Sequence, residues 1–398
     1  MKVKIYLCVL ILAVIGLQPP GNAVVLCTAA AGQSPTYRVG TPNNQVVSVG
    51  TAFNCATTLY DPEVYRLSNG RLVLWGQGGS LASCTQGLDS LYTATYNPSV
   101  NNWRVPLATD CPTLIGKALC DHLPNTNPDP SGPLGSPSAV ELDGKVFMAY
   151  VAGNADYERG KVNWAVGTDT NLSVYPTASN PVALITPVQS GKGACDKHGI
   201  GQVRLAYEYP YFYFILFYSH NRDAGGGPYS TLAYRINYDP ANAWGLGAIR
   251  QVLKGSQWVA HDGNLIFDYD SPGGISVYGN YDARGLQYGG EGDLKWDPVR
   301  QRWIHIFSTW DTSKLSWQES PSLDWGMWTV PVDVDVTKIR QKWPSTPFIG
   351  AGIWHGDITN DGISNPRWWI FLPVHGGAPC PGAVFAGLSV AMATLDYN

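Results

Sequence analysis

Three acidic residues stand out for the chemistry they could do together: Asp61, Asp262 and Glu291. They lie far apart in the chain, and each opens a stretch that reads as a β-hairpin. A fold that gathered them into one pocket would hold what glycoside cleavage needs. One carboxylate activates water or attacks the anomeric carbon, and a second, with raised pKa, protonates the leaving oxygen. Like charges held close raise one of the two pKa values, as that division of labour requires. Glu291 follows Gly289-Gly290 and precedes Gly292, so its backbone can come close to a ligand. Asp61 before Pro62 and Asp262 before Gly263 also fit turn residues that bond their own backbone.

Other candidates would bind rather than react. His355, preceded by Trp354, reads as a residue beneath such a pocket, tuning a carboxylate or holding a metal-bound water, with calcium as the ion. A core histidine satisfied by backbone fits the same residue. Trp75, Trp310 and Trp354 fall at hairpin ends or starts, where their faces would stack on sugar rings; packing between sheets is the alternative. Arg204 is a candidate partner for an acidic sugar. The carboxylate chemistry itself requires no cofactor. No Gly-x-Ser-x-Gly elbow, phosphate loop, dinucleotide fingerprint or His-Glu-x-x-His occurs, which removes common serine hydrolases, nucleotide enzymes and zincins.

The elements that must position these residues repeat. Each unit has a small or polar starter, an alternating strand, a turn rich in Gly, Asn or Asp, and a dense aromatic or branched strand. Units begin at Asp61 (DPEVYRLSNGRLVLWGQGG), Ser136 (SPSAVELDGKVFMAYVAGN), Gln202, Asp262, Glu291 and His355. Ser-Asn-Gly and Asp-Gly favour tight reversals. The starters are mostly about 60–75 residues apart, the length of one four-stranded propeller blade with its loops. The step from Asp262 to Glu291 is short. The expected fold is therefore an all-β β-propeller, of five blades if those two hairpins share one and of six otherwise. Starters of neighbouring inner strands would converge on one mouth.

Composition agrees. The 398 residues hold 44 Gly and 29 Pro, 12% aromatics and 14% charged residues, against about 25% charged in an average domain. That favours turns and strands over helices, and the aromatics can bury enough area to exclude disorder. A net charge of −4 leaves no basic footprint for nucleic acid or anionic membrane. Residues 1–23 read as a secretory signal: Lys2 and Lys4, then an apolar run from Ile5 to Leu17, with cleavage after Ala23 or as late as Ala31. Residues 32–398 then form a single catalytic domain, secreted or periplasmic, monomeric, and free of the membrane once the signal is removed. Cleavage after Ala31 leaves Cys55, Cys84, Cys111, Cys120, Cys195 and Cys380, which would pair as disulfides in an oxidising compartment. No Cys-x-x-Cys spacing supports a structural zinc site.

At these residues the chain resembles the five-bladed β-propeller glycoside hydrolases of families 43 and 62, the arabinanase, arabinofuranosidase and xylosidase group. Asp61-Pro62-Glu63-Val64, Glu291-Gly292 and His355-Gly356-Asp357-Ile358 carry the resemblance. It implies Asp61 as general base, Glu291 as general acid and His355 near the floor of the site, acting on a polysaccharide or oligosaccharide of arabinan or xylan type. The family adds a second Asp that orients the acid. Gln202 occupies the matching start here, leaving Asp262 or Asp196 as substitutes. The competing readings are a sialidase-like or polysaccharide-lyase propeller and a non-catalytic carbohydrate-binding propeller. The starters differ from unit to unit, which favours one asymmetric site over a repeated lectin pocket.

Overall fold

The structure is a computed structural model. It describes residues 37–39, 46–47, 58–79, 81–82, 85–86, 90–97, 102–104, 134–152, 161–168, 182–186, 201–219, 229–254, 257–260, 267–268, 292–308, 314–323, 328–329, 331–344, 346, 348, 350–356, 367–375 and 388–397. The signal segment, all the cysteines, Asp262, Glu291 and Trp310 lie outside the described residues.

Two short strands come first, β1 (Tyr37–Val39) and β2 (Val46–Val47). The first sheet contains β3 (Thr58–Arg66) and β4 (Leu72–Gly79); after a small ladder of β5 (Leu81–Ala82) and β6 (Thr85–Gln86), it is completed by β7 (Ser90–Asn97) and β8 (Asn102–Arg104). The second runs β9 (Leu134–Leu142), β10 (Lys145–Ala152), β11 (Lys161–Thr168) and β12 (Val182–Thr186). The third is β13 (Gly201–Glu208), β14 (Tyr211–Ser219), β15 (Tyr229–Tyr238), β16 (Leu246–Lys254) and β17 (Gln257–Ala260). A two-residue strand, β18 (Phe267–Asp268), pairs in parallel with β12 of the second sheet. The stretch after Asp262 thus starts no sheet of its own among the described residues.

The fourth sheet is β19 (Gly292–Asp297), β20 (Arg302–Ser308), β21 (Leu315–Ser320) and β22 (Val332–Asp333). A short helix, α1 (Thr337–Lys342), follows and buries Ile339. The fifth sheet is β23 (Gly352–Gly356), β24 (Arg367–His375) and β25 (Leu388–Tyr397), with β1 and β2 both paired to β25. The start of the chain thereby completes its last sheet.

The hairpins follow from their turn residues. Gly70 at φ 84° closes the Ser68-Asn69-Gly70 turn, with its N–H donating to Leu67 O at 2.8 Å. Asp143 (φ 50°) and Gly144 (φ 70°) both take the left-handed conformation that a two-residue hairpin turn requires. Among the described residues five of the six expected hairpins are present, each pairing the first two strands of one sheet; the hairpin expected from Asp262 falls almost wholly outside them.

Each first strand packs against the first strands of two other sheets: β3 on β9, β9 on β13, β13 on β19, β19 on β23, and β23 back on β3. Apolar side chains fill the spaces between successive sheets. Trp75, Val146, Met148 and Tyr150 lie between the first and second, Phe147, Trp164 and Phe212 between the second and third, and Ile304, Trp317, Ile353 and Ile370 between the fourth and fifth. Leu74, Phe371 and Met392 lie between the fifth and first. Burying such side chains stabilises the packing by roughly 1.5–3 kcal/mol each. Among the described residues no helix is long and apolar enough to cross a membrane.

Candidate active site on the inner strands

The first strands share a local irregularity where they begin. In the β3–β4 ladder Tyr60 pairs with Gln77 and Glu63 with Trp75, so Asp61 and Pro62 stand against Gly76 alone. In the β9–β10 ladder Ser138 pairs with Ala149 and Gly135 with Val151, so Ser136 and Pro137 stand against Tyr150. The β13–β14 register shifts at Gln202. Proline has no N–H for the ladder, and an extra residue there makes a β-bulge that re-aims its side chain. Asp61 and Ser136 take φ of 46° and 48°. For non-glycine residues this costs about 1–2 kcal/mol each.

Asp61 is buried, as is Arg204 on β13, and Arg204 Nη2 lies 3.5 Å from Asp61 Oδ1. Asp61 Oδ2 is buried with no hydrogen-bond partner among the described residues. Gly350 (φ 72°) leaves room for this carboxyl, since a Cβ there would come within 2.5 Å of Asp61 Oδ1. Burial raises the Asp61 pKa, and Arg204 and the neighbouring Ser136 hydroxyl oppose the rise.

Further along the same strands lies a second charged group. Lys295 on β19 donates to Glu63 Oε1 and lies 3.1 Å from Asp293 Oδ1. Asp293 Oδ2 accepts from the Ile353 N–H at 2.9 Å, tying β19 to β23. The Leu205 N–H donates to Ser138 Oγ at 2.9 Å, tying β13 to β9. Burial, reinforced by Asp293, pushes the Glu63 carboxyl up to about 8. His305, buried on β20, accepts from Gln318 Nε2 at 2.8 Å through Nδ1 and stacks on Phe307 at 4.8 Å. Burial and Arg204 hold its pKa well below the usual imidazole value. The sequence reading missed Glu63, Asp293, Lys295 and His305. For the first three the available signal was alternation, since Glu63 is two residues from Asp61 and Asp293 and Lys295 follow Glu291 at steps of two.

The expected binding residues fall elsewhere. Gly350 lies against Asp61, Gly352 against Pro62 and Trp354 against Arg66, so β23 advances in step with β3. His355 therefore sits about five residues beyond the level of Asp61, on the order of 16 Å along a strand. There it packs on the Trp368 ring at 4.9 Å and feels the charges of Asp297 and Arg300. The starter of the last unit is displaced: Gly350, not His355, stands level with Asp61. Burial lowers the His355 pKa, which Asp297 opposes. The Asp297 carboxylate is fully engaged, accepting from the Val299 and Arg300 backbone N–H groups, Arg300 Nε and Trp368 Nε1. No group of three or more metal-ligating side chains converges among the described residues, and the residues that follow Gly356 lie outside them.

Trp75 is fully buried between two sheets and has no face open to a sugar. Trp354 is 9% exposed and lies under the Arg66 guanidinium at 4.9 Å, so it too is a packing residue. Arg204 is 1% exposed and paired with Asp61, which leaves it no exposed charge for an acidic sugar. Of the expected residues, Asp61 and Arg204 come together, and His355 and Trp354 stand apart from them.

No protein-family model matches the sequence, and no curated protein does. Solved structures do resemble it. Zg3597, a family 117 glycoside hydrolase of Zobellia galactanivorans, is 10% identical with a TM-score of 0.50, over 91% of this chain and 90% of that one. The RS223 β-xylosidase is 11% identical at 0.50, over 89% and 96%. CoXyl43, a GH43 β-xylosidase/α-arabinofuranosidase from a compost metagenome solved with xylotriose, is 12% identical at 0.50, over 92% and 96%. The fold is therefore that of the β-propeller glycoside hydrolases.

Proposed function

We propose that the chain is a secreted glycoside hydrolase on a five-bladed propeller, cleaving an oligosaccharide or polysaccharide of xylan or arabinan type. The observation that carries this reading is the Asp61 carboxyl: buried, on a strained bulge of an inner strand, one oxygen beside Arg204 and the other without a partner among the described residues. Structural aspartates use both oxygens. One held with an oxygen in reserve suits a general base, which must accept a hydrogen bond from water and then its proton. Arg204 favours the ionised form that this role needs. Glu291, immediately before β19, is the proposed general acid, and the direct-displacement course follows from the family resemblance. In that course Asp61 draws the proton from the attacking water, and Glu291 delivers one to the departing oxygen.

The five sheets with cyclically packed first strands support five blades. Xylotriose bound to CoXyl43 supports a neutral xylo-oligosaccharide as the first ligand to try. The signal-like segment supports export. A panel of arabinan, xylan and other neutral polysaccharides, assayed for reducing ends and for absorbance of unsaturated products, tests the reading. Reducing ends without unsaturation, abolished by Glu291→Gln with sugar binding retained, are expected. Unsaturated ends would make the chain a lyase, and binding without either product a lectin.

A further inference from the structure

The β3–β4 ladder leaves Asp61 without regular backbone pairing. Tyr60 pairs with Gln77 and Glu63 with Trp75, and Asp61 and Pro62 fall in the bulge between them. Pro62 has no N–H to donate. Asp61 also holds a positive φ of 46°, and strain inside a strand persists only where the surroundings over-determine it.

What holds this stretch comes from other sheets. Lys295 on β19 donates to Glu63 Oε1, and its ammonium lies 5.9 Å from the Tyr65 ring, two residues further along β3. The same ammonium lies 3.1 Å from Asp293 Oδ1, and Asp293 Oδ2 accepts from the Ile353 N–H on β23 at 2.9 Å. β23 in turn meets β3 at Gly352, where an added Cβ would come within 2.5 Å of Pro62 O. The three strands close a triangle: Lys295 joins β19 to β3, Asp293 joins β19 to β23, and the Gly352 contact joins β23 to β3. Glu63 and Asp293 are both buried, so water does not compete for these bonds. Only Pro62 separates Glu63 from Asp61. Proline fixes its own φ at about −65°, so a displacement of Glu63 passes to Asp61 through a short, stiff link. We propose that Glu63, anchored by Lys295, is a positioning residue for Asp61, setting its place relative to β19, the strand that Glu291 immediately precedes. This rests on the reading of Asp61 as general base.

Glu63→Met removes the acceptor at similar volume and leaves Lys295 paired with Asp293, so no buried charge is stranded. Glu63→Gln keeps an acceptor for the Lys295 ammonium and is the second variant. Two measurements are made on the full chain. One is the crystal structure, read as the Cα separation of Asp61 and Gly292. The other is kcat and KM per folded molecule on the panel substrate that the wild type cleaves. In Glu63→Met the separation should change by about 0.5 Å or more, the tolerance within which a catalytic group must be held. Its kcat should fall by about 10²-fold with KM little changed. Glu63→Gln should keep the wild-type separation and recover most of kcat. A role confined to stability would lower the Tm of Glu63→Met and leave separation and kcat where they were; that outcome overturns the inference and leaves the role of Asp61 intact. A loss of equal size in Glu63→Gln also overturns it, because the bond to Lys295, and not the charge of Glu63, is what positions Asp61. If Asp61→Asn keeps its turnover, the role of Asp61 fails, and the crystal comparison still decides whether the Lys295 bridge places it.

Discussion

Asp61 and Asp297 are the same residue near opposite ends of inner strands, and they are held in opposite ways. Asp297 accepts two backbone N–H groups, one guanidinium and one indole, and these bonds outweigh burial to lower its pKa. Its neighbour Arg300 also pairs with Glu319 Oε1 at 2.7 Å, and Glu319 accepts from the Trp317 indole at 2.9 Å. That end ties a turn to two sheets. The Asp61 end gathers three carboxylates, Asp61, Glu63 and Asp293, against two cations, Arg204 and Lys295. Burial raises the pKa of Asp61 and of Glu63. A site that stabilises the fold satisfies its polar atoms, whereas one that reacts keeps an oxygen and a charge in reserve.

The comparison can be broken at several points. The largest stability effect is expected from Lys295→Met, which leaves Glu63 and Asp293 buried without their shared cation. It should cost about 3–5 kcal/mol in urea unfolding at pH 8, and less at pH 5, where Glu63 takes up a proton. Next, Asp297→Ala should lose about 2–3 kcal/mol, because it strips partners from a turn, a guanidinium and an indole. Its turnover per folded molecule should stay at the wild-type level. A large fall in turnover at full folding would give the two ends the same role.

The smallest effect is the pH dependence of stability. Glu63, raised from 4.5 to about 8, binds a proton more tightly when folded, so its contribution fades as pH rises toward 8. His305 and His355 are lowered, so theirs is complete above about 6.5 and fades as pH falls below that. Tm should therefore peak near about pH 6.5 and decline on either side, each group contributing at most about 1.4 kcal/mol per pH unit. Glu63→Gln should flatten the alkaline side alone. An alkaline decline of wild-type steepness in that variant would remove Glu63 as its source.

How far the sequence could be read depended on the kind of signal. Alternation and the Ser-Asn-Gly and Asp-Gly turns were enough to identify five of the hairpins, because turn chemistry is local. The starter positions Asp61, Ser136 and Gln202 coincide with the register shifts, since the Pro or extra residue that marks them is visible in the chain. His355 was misplaced because its Gly-Asp context imitates a starter, while the true counterpart, Gly350, is defined only by its contact with Asp61. Trp75, Trp354 and Arg204 read as binding groups in the sequence because nothing in one sequence separates a buried aromatic or cation from an exposed one, and the structure buries all three. The cross-axis pairs, Lys295 with Glu63 and Arg204 with Asp61, join residues more than a hundred positions apart, and only the closed ring of strands reveals them.

The most direct test is reducing-end release from the substrate panel by the purified wild-type chain and by Asp61→Asn at matched folding. The wild type should release reducing ends from at least one neutral polysaccharide, and loss of the general base should slow release by about 10³-fold, within the span such groups supply. Equal rates in the two proteins, or firm binding by the wild type with no release, would contradict it.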